Sequence, residues 1–125
     1  MTSLRSMSEF PEVKKSQMSL LARVAEIPLP GVKEVFVPSA SGGFYLLLTH
    51  TADGIRAFHN ECPHAGRPLN YAPNKFLLSQ FGHLVCAVHG AEFVLNSGEC
   101  VAGPCFGQSL RALAVRVEAG EIHTV

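Results

Sequence analysis

Two cysteine–histidine doublets constrain this chain more than any other feature: Cys62-Pro63-His64, with Gly66 two positions later, and Cys86-Ala87-Val88-His89, followed directly by Gly90. Each doublet supplies one thiolate and one imidazole, and each sits in a stretch of loop character. Soft sulfur and imidazole nitrogen suit zinc and iron–sulfur centres alike. For all four side chains to serve one centre, the fold has to hold two separate loops face to face. Zinc sites usually open on a C-x₂₋₄-C knuckle and close on a histidine pair. Here the cysteines are divided between the doublets and one doublet has a single intervening residue, which counts against the zinc pattern without removing it. Burial of unrelated cysteines as small apolar residues is the plainer reading, and two matched doublets with following glycines argue against it.

The spacing C-x-H, twenty-one residues, C-x-x-H resembles the signature of Rieske [2Fe–2S] domains, in which two thiolates hold one iron and two imidazoles the other. The resemblance runs from about Ala22 to the C-terminus. It covers the lead Asp53-Gly54-Ile55-Arg56-Ala57-Phe58-His59-Asn60-Glu61, both doublets, Gly90 with Phe93, the Gly98 turn, the Gly103-Pro104 loop and a closing hairpin. It implies one [2Fe–2S] cluster per chain, held by Cys62, His64, Cys86 and His89, and one-electron transfer. Imidazole ligands leave such a cluster less negative, and potentials lie roughly between −150 and +300 mV, against about −400 mV for all-cysteine plant-type clusters.

Departures from the family pattern carry their own expectations. Family ligand pairs are more often about fifteen to seventeen residues apart, so Pro68 to Val85 holds a modest insertion, read as loop, where added length costs little. In high-potential members a serine and a tyrosine after the second ligand histidine donate hydrogen bonds to the sulfurs. Ala91 and Phe93 hold the matching positions and have no hydroxyl to donate, which implies a low potential within the Rieske range. Those members also bridge their two loops by a disulfide between motif cysteines, at positions that are Arg67 and Val88 here. Cys100 and Cys105 lie elsewhere, beside the Gly103-Pro104 segment that matches the loop covering the cluster. They read either as free semi-buried thiols, as a reducing cytoplasm favours, or as a disulfide or redox-sensitive pair near the cluster.

Short segments rich in branched and aromatic residues point to a mostly β protein. Strands are expected over 23–27, 32–37, 43–49, 55–58, 84–88, 92–95, 110–117 and 121–125, with a helix also open for 110–117. Turn signals separate most of them, Asp53-Gly54 reading as a tight hairpin. With the resemblance this gives a Rieske-like antiparallel β-sandwich and a smaller cluster-binding subdomain formed by two loops. At 125 residues with 47% hydrophobic content, one domain with a real core is expected. Residues 1–19 form a flexible N-terminal segment and 20–125 the domain, with the cluster-binding loops within about 59–106.

Ten basic and ten acidic residues cancel, with no basic stripe for nucleic acid. The longest strongly apolar run, Phe44 to Leu48, is far too short to cross a bilayer. Lys14 and Lys15 are not followed by an apolar signal region, because Arg23 and Glu26 interrupt Leu20 to Ile27. A cytoplasmic protein without a membrane partner is expected. His50, His59, His83 and His123 have no ligand partner at metal spacing and are assigned no chemistry. No acid–base or nucleophile constellation and no nucleotide loop is legible, so a small-molecule substrate is not expected.

The resemblance therefore implies a soluble ferredoxin and not an enzyme, taking electrons from a flavin-dependent reductase and passing them to an oxygenase or other redox enzyme through weak, transient docking. His64 and His89 are expected at one exposed tip, with Pro63, Ala65, Leu69, Val88, Pro104 and Phe106 as an apolar rim, and a potential that falls at high pH. Other readings are the small subunit of a larger oxidoreductase such as nitrite reductase, and a redox-sensing or zinc-stabilised interaction module. The Rieske part of a ring-hydroxylating oxygenase would need a further domain with a mononuclear iron site, for which 125 residues leave no room.

Overall fold

The computed structural model describes residues 20–63, 66–87 and 89–125; the expected flexible segment 1–19 lies outside them. In chain order the strands are β1 (Leu20–Arg23), β2 (Gly31–Val37), β3 (Phe44–Thr51), β4 (Gly54–His59), β5 (Leu77–Leu78), β6 (Leu84–Val85), β7 (Glu92–Phe93), β8 (Cys100–Ala102), β9 (Ala112–Leu113), β10 (Val115–Glu118) and β11 (Glu121–Thr124). Among the described residues they form three antiparallel sheets, ordered β1-β11-β10, β2-β3-β4-β9 and β5-β6-β7-β8. No described helix is long and apolar enough to cross a membrane.

The middle sheet has an apolar core on each side, and β3 explains how. Leu46, Leu47 and Leu48 are all fully buried, although successive strand residues point to opposite faces. Leu48 joins Ile55, Ala57, Ala22, Ile27 and Ile122 in one core shared with the β1-β11-β10 sheet. Leu47, with its cross-strand partner Phe58, joins Leu69, Leu84, Phe93, Leu95 and all four cysteines in the other. A continuous apolar run is the pattern of a strand covered on both faces. The Asp53-Gly54 signal is a hairpin, with Thr51 paired to Gly54 and Gly54 at φ +113°.

Several strand expectations need correction. The segment 23–27 is not a strand: β1 ends at Arg23 and Val24–Glu26 form a 3₁₀ turn. The Glu26 carboxylate accepts from the Arg23 N–H at 3.1 Å, and the Val24 N–H is taken by the Gly120 carbonyl at 2.9 Å. The segment 84–88 is strand only to Val85, because Cys86 turns the chain into a loop, and 92–95 only to Phe93. The segment 110–117 is extended, as β9 and β10 broken at Ala114, and not helical. The stretch Pro68 to Val85 is not all loop, since it contributes β5 and β6, and β8 was not foreseen. The subdomain is therefore a four-stranded sheet that carries loops.

The first half of that stretch is tied to the middle sheet. Buried Asn60 accepts the Leu69 N–H through Oδ1 at 2.8 Å and donates through Nδ2 to Asn70 Oδ1 at 2.9 Å and Glu34 Oε2 at 3.2 Å. Glu34 and Asn74 clasp each other: the Glu34 N–H donates to Asn74 Oδ1 at 2.8 Å, and the Asn74 N–H to Glu34 Oε1 at 3.0 Å.

Candidate metal centre

The two doublets occupy loops of the same construction. The Cys62 N–H donates to the Arg67 carbonyl at 2.8 Å, and the Cys62 carbonyl accepts the Gly66 N–H at 2.7 Å. The Cys86 N–H donates to the Ala91 carbonyl at 2.7 Å, and the Cys86 carbonyl accepts the Gly90 N–H at 2.9 Å. In both, a glycine four residues after the cysteine closes the turn. Gly66 and Gly90 stand at φ +69° and +72°, and a Cβ on either would meet nothing within 4 Å. Backbone conformation, not space, requires glycine there.

These loops bring Cys62 Sγ, Cys86 Sγ and a ring nitrogen of His89 within 4.8 Å of one another. Both sulfurs are fully buried while His89 is exposed. Two soft thiolates with an imidazole at the solvent boundary are a donor set for iron–sulfur or zinc chemistry. His64 lies outside the described residues, as do Ala65 and Val88 of the expected rim. Pro63 is half-buried, Pro104 exposed and Phe106 71% exposed. Leu69 does not belong to the rim: it is fully buried, drawn inward by the Asn60 bond.

A third loop closes over the second. Gly103 stands at φ +95°, and a Cβ there would lie 2.7 Å from Ala91 Cα. Behind it, Cys105 Sγ sits 3.0 Å from Cys100 Sγ. Burial, a hydrogen bond and charge interaction with Cys100, and weaker contact with Cys62 push the Cys105 thiol up to about 12. The remaining histidines do structural work. His50 Nδ1 lies 3.0 Å from the Ile27 carbonyl, His83 pairs with Glu92 at 3.2 Å, and His123 Nε2 lies 3.2 Å from Glu121. His59 packs against Phe44 with ring centroids 5.1 Å apart. Its imidazole is held below the usual histidine value by burial and by Arg111, opposed by Glu61.

Asn60 and Glu34, which pin the first loop's exit, were missed in the sequence. The only local signal was an asparagine placed two residues before Cys62.

An antiparallel β fold whose two matched loops converge thiolate and imidazole donors defines a metal-binding domain of the iron–sulfur or zinc class. The sequence matches the Rieske [2Fe–2S] domain over residues 17–118, and the chain belongs to that family. Its cofactor is a [2Fe–2S] cluster, which the convergent thiolate and imidazole donors fit. Among curated proteins none matches the chain in sequence.

Solved structures share the fold. The ferredoxin of carbazole 1,9a-dioxygenase from Nocardioides aromaticivorans IC177 is 21% identical with a TM-score of 0.64, over 85% of this chain and 94% of that one. A chain from the complex of reduced oxygenase and oxidised ferredoxin in carbazole 1,9a-dioxygenase is 19% identical with a TM-score of 0.63, over 85% and 90%. A protein assigned as a nitrite reductase NADPH small subunit is 14% identical with a TM-score of 0.59, over 86% and 95%.

Proposed function

We propose that the chain is a one-electron carrier and not an enzyme, with Cys62 and Cys86 on one iron of the cluster and His64 and His89 on the other. The observation that carries this reading is the convergence of Cys62, Cys86 and His89 within 4.8 Å on two loops closed by the same pair of backbone bonds. When bound, the cluster supplies reversible one-electron chemistry. The chain's part is to seal the sulfurs from water in the Leu47–Phe93 core and to bring one imidazole to the surface, where a partner can approach. Ala91 and Phe93, both fully buried, offer no hydroxyl to the sulfurs, which supports a potential in the lower part of the Rieske range.

A low-potential carrier suits electrons arriving from a flavin-dependent reductase and leaving to an oxygenase. The likeness to a ferredoxin whose structure is recorded with its oxygenase supports the second half of that route. Exposed Phe106 and Pro104, on the loop that closes over Ala91 through Gly103, give an apolar patch for a small docking contact, which suits a carrier that must leave quickly. The likeness to a nitrite reductase small subunit favours a second reading, as a subunit held in a larger oxidoreductase. Stable copurification with a large partner selects that reading.

The test is the absorption and low-temperature EPR spectrum of the anaerobically purified, dithionite-reduced protein. An average g of about 1.9 is expected from mixed nitrogen and sulfur ligation. A colourless, EPR-silent, zinc-containing protein would overturn the carrier reading.

A further inference from the structure

Between the two ligand loops the chain exposes Tyr71, Leu77, Leu78 and Phe81, the last to 73%. The turn that carries Phe81 is tied down by its own backbone. The Ser79 N–H donates to the His83 carbonyl at 2.9 Å, and the Ser79 carbonyl accepts the Gly82 N–H at 2.9 Å. Ser79 Oγ accepts the N–H groups of Phe81 and His83, each at 3.2 Å. The Phe81 ring takes no part in these bonds, so the turn presents it to solvent already ordered, as an interface anchor requires. β5 is an outer strand of its sheet, and among the described residues no further strand covers it. Phe106 follows β8, the outer strand at the opposite edge, so this surface is separate from the Phe106–Pro104 patch.

Charge indicates what covers it. From Cys62 to Ala91 the chain has no Asp or Glu. Among the described cations, Arg23, Arg111 and Arg116 pair with Glu121, Glu61 and Glu118, and Arg56 donates to the Asp53 and Ile55 carbonyls. Arg67 and Lys75 are exposed and make no ion pair or side-chain hydrogen bond with the described residues. Lys33 is also unpaired, but it lies across from Leu48, on the other face of the middle sheet from Glu34. Arg67 closes the first ligand loop through its carbonyl. Lys75 precedes β5 at the end where Leu77 faces Val85 and β6 passes into Cys86. The neighbouring carboxylates are engaged: Glu34 by Asn60 and Asn74, Glu61 by Arg111 and Glu92 by His83.

We propose that Arg67, Lys75 and the β5–β6 hairpin form a docking surface for a redox partner protein whose own face is apolar at its centre and carboxylate-bearing at its rim. The proposal rests on the carrier reading, which is what makes the partner a redox protein. Opposite charge steers the encounter and sets its orientation, and the preordered Phe81 holds it. A second copy of the chain fits less well, because it brings two more uncompensated cations to the contact.

The test uses the full, iron-loaded chain and two small probes. Anilinonaphthalene sulfonate joins an aromatic body to an anion, and naphthylmethylammonium joins a similar body to a cation. NMR titration should show the sulfonate shifting amides within 67–83, several-fold more weakly in Lys75→Glu, in Phe81→Ser and at high salt, while the ammonium leaves them unmoved. Stopped-flow oxidation of the reduced cluster by the ferric EDTA anion, which takes up one electron, should slow as salt is added. Arg67→Glu combined with Lys75→Glu should remove that salt dependence. The proposal is overturned if the sulfonate settles at other exposed aromatics such as Phe36 and Tyr45, if the ammonium binds equally well, or if ultracentrifugation shows a dimer that Phe81→Ser dissolves. A chain without cluster absorption overturns the carrier reading, and with it the redox identity of the partner, while the sulfonate titration still reads the surface.

Discussion

Residues at this site are chosen as much for what they lack as for what they carry. Ala91 has no hydroxyl, and Ala91→Ser should raise the cluster potential by roughly 40 mV, the one-electron equivalent of a hydrogen bond worth about 1 kcal/mol; voltammetry of variant and parent checks it. Gly103 has no Cβ, and Gly103→Ala would drive one to 2.7 Å from the Ala91 backbone at φ +95°. A loss of about 1–3 kcal/mol is expected in urea unfolding, with less iron retained on purification. His59 has the opposite role, as an imidazole kept neutral by its setting. Its folded value lies below 6.5, first through burial, then Arg111, with Glu61 opposing. The unfolded chain therefore takes up this proton first as pH falls. The His59 contribution is complete above 6.5 and is lost as pH drops through that value towards the folded one. In urea melts across that window, His59→Asn should show a flatter pH dependence than the parent. The convergence of Cys62, Cys86 and His89 and the closing glycines were legible in the sequence because a metal centre needs specific donor atoms and a tight turn specific dihedrals. Asn60, Glu34 and Leu69 were not, because their roles depend on which segment lies across from them.

At the scale of elements, a buried side-chain bond helps to join the two halves of the fold. Thr49 on β3 donates through Oγ1 to the Leu95 carbonyl at 2.8 Å, linking the middle sheet to the turn after β7. Thr49→Val removes the donor and leaves a buried carbonyl without its partner, so a loss of about 1–3 kcal/mol is expected from the urea midpoint. The long strands β2, β3 and β4 were readable because eight or fewer residues of apolar pattern bounded by glycine turns suffice to define them. In the cluster-binding sheet β6 and β7 were readable, though shorter than expected, while β5 and β8 were not. β5 exists because Leu77 and Leu78 find Val85 and Leu84 across a hairpin, a pairing set by tertiary position and not by local propensity. The same competition moved the first strand, where a Glu26 cap and Gly120 turned expected strand residues into a 3₁₀ turn.

Across the whole molecule, the two cores divide labour. One joins the β1-β11-β10 sheet to the middle sheet without any cysteine. The other contains all four, so the two thiolates proposed as cluster ligands, Cys62 and Cys86, lie in that half of the fold. Removing iron by chelation should therefore strip hydrogen-exchange protection from β6, β7 and β8 while the amides of β2, β3 and β4 stay protected; equal loss in both halves would show one cooperative unit instead.

Both ligand loops close on themselves, their two backbone bonds beginning and ending within six residues of chain. Each is in effect a portable cassette, and the remainder of the molecule supplies only the distance and angle between two such cassettes. The length of chain joining them is then free to vary, since the sheets and not the connecting segment set the spacing. A separation of twenty-one residues can be spent on β5 and on the Glu34–Asn74 clasp, giving new surface beside the cassettes without altering either one.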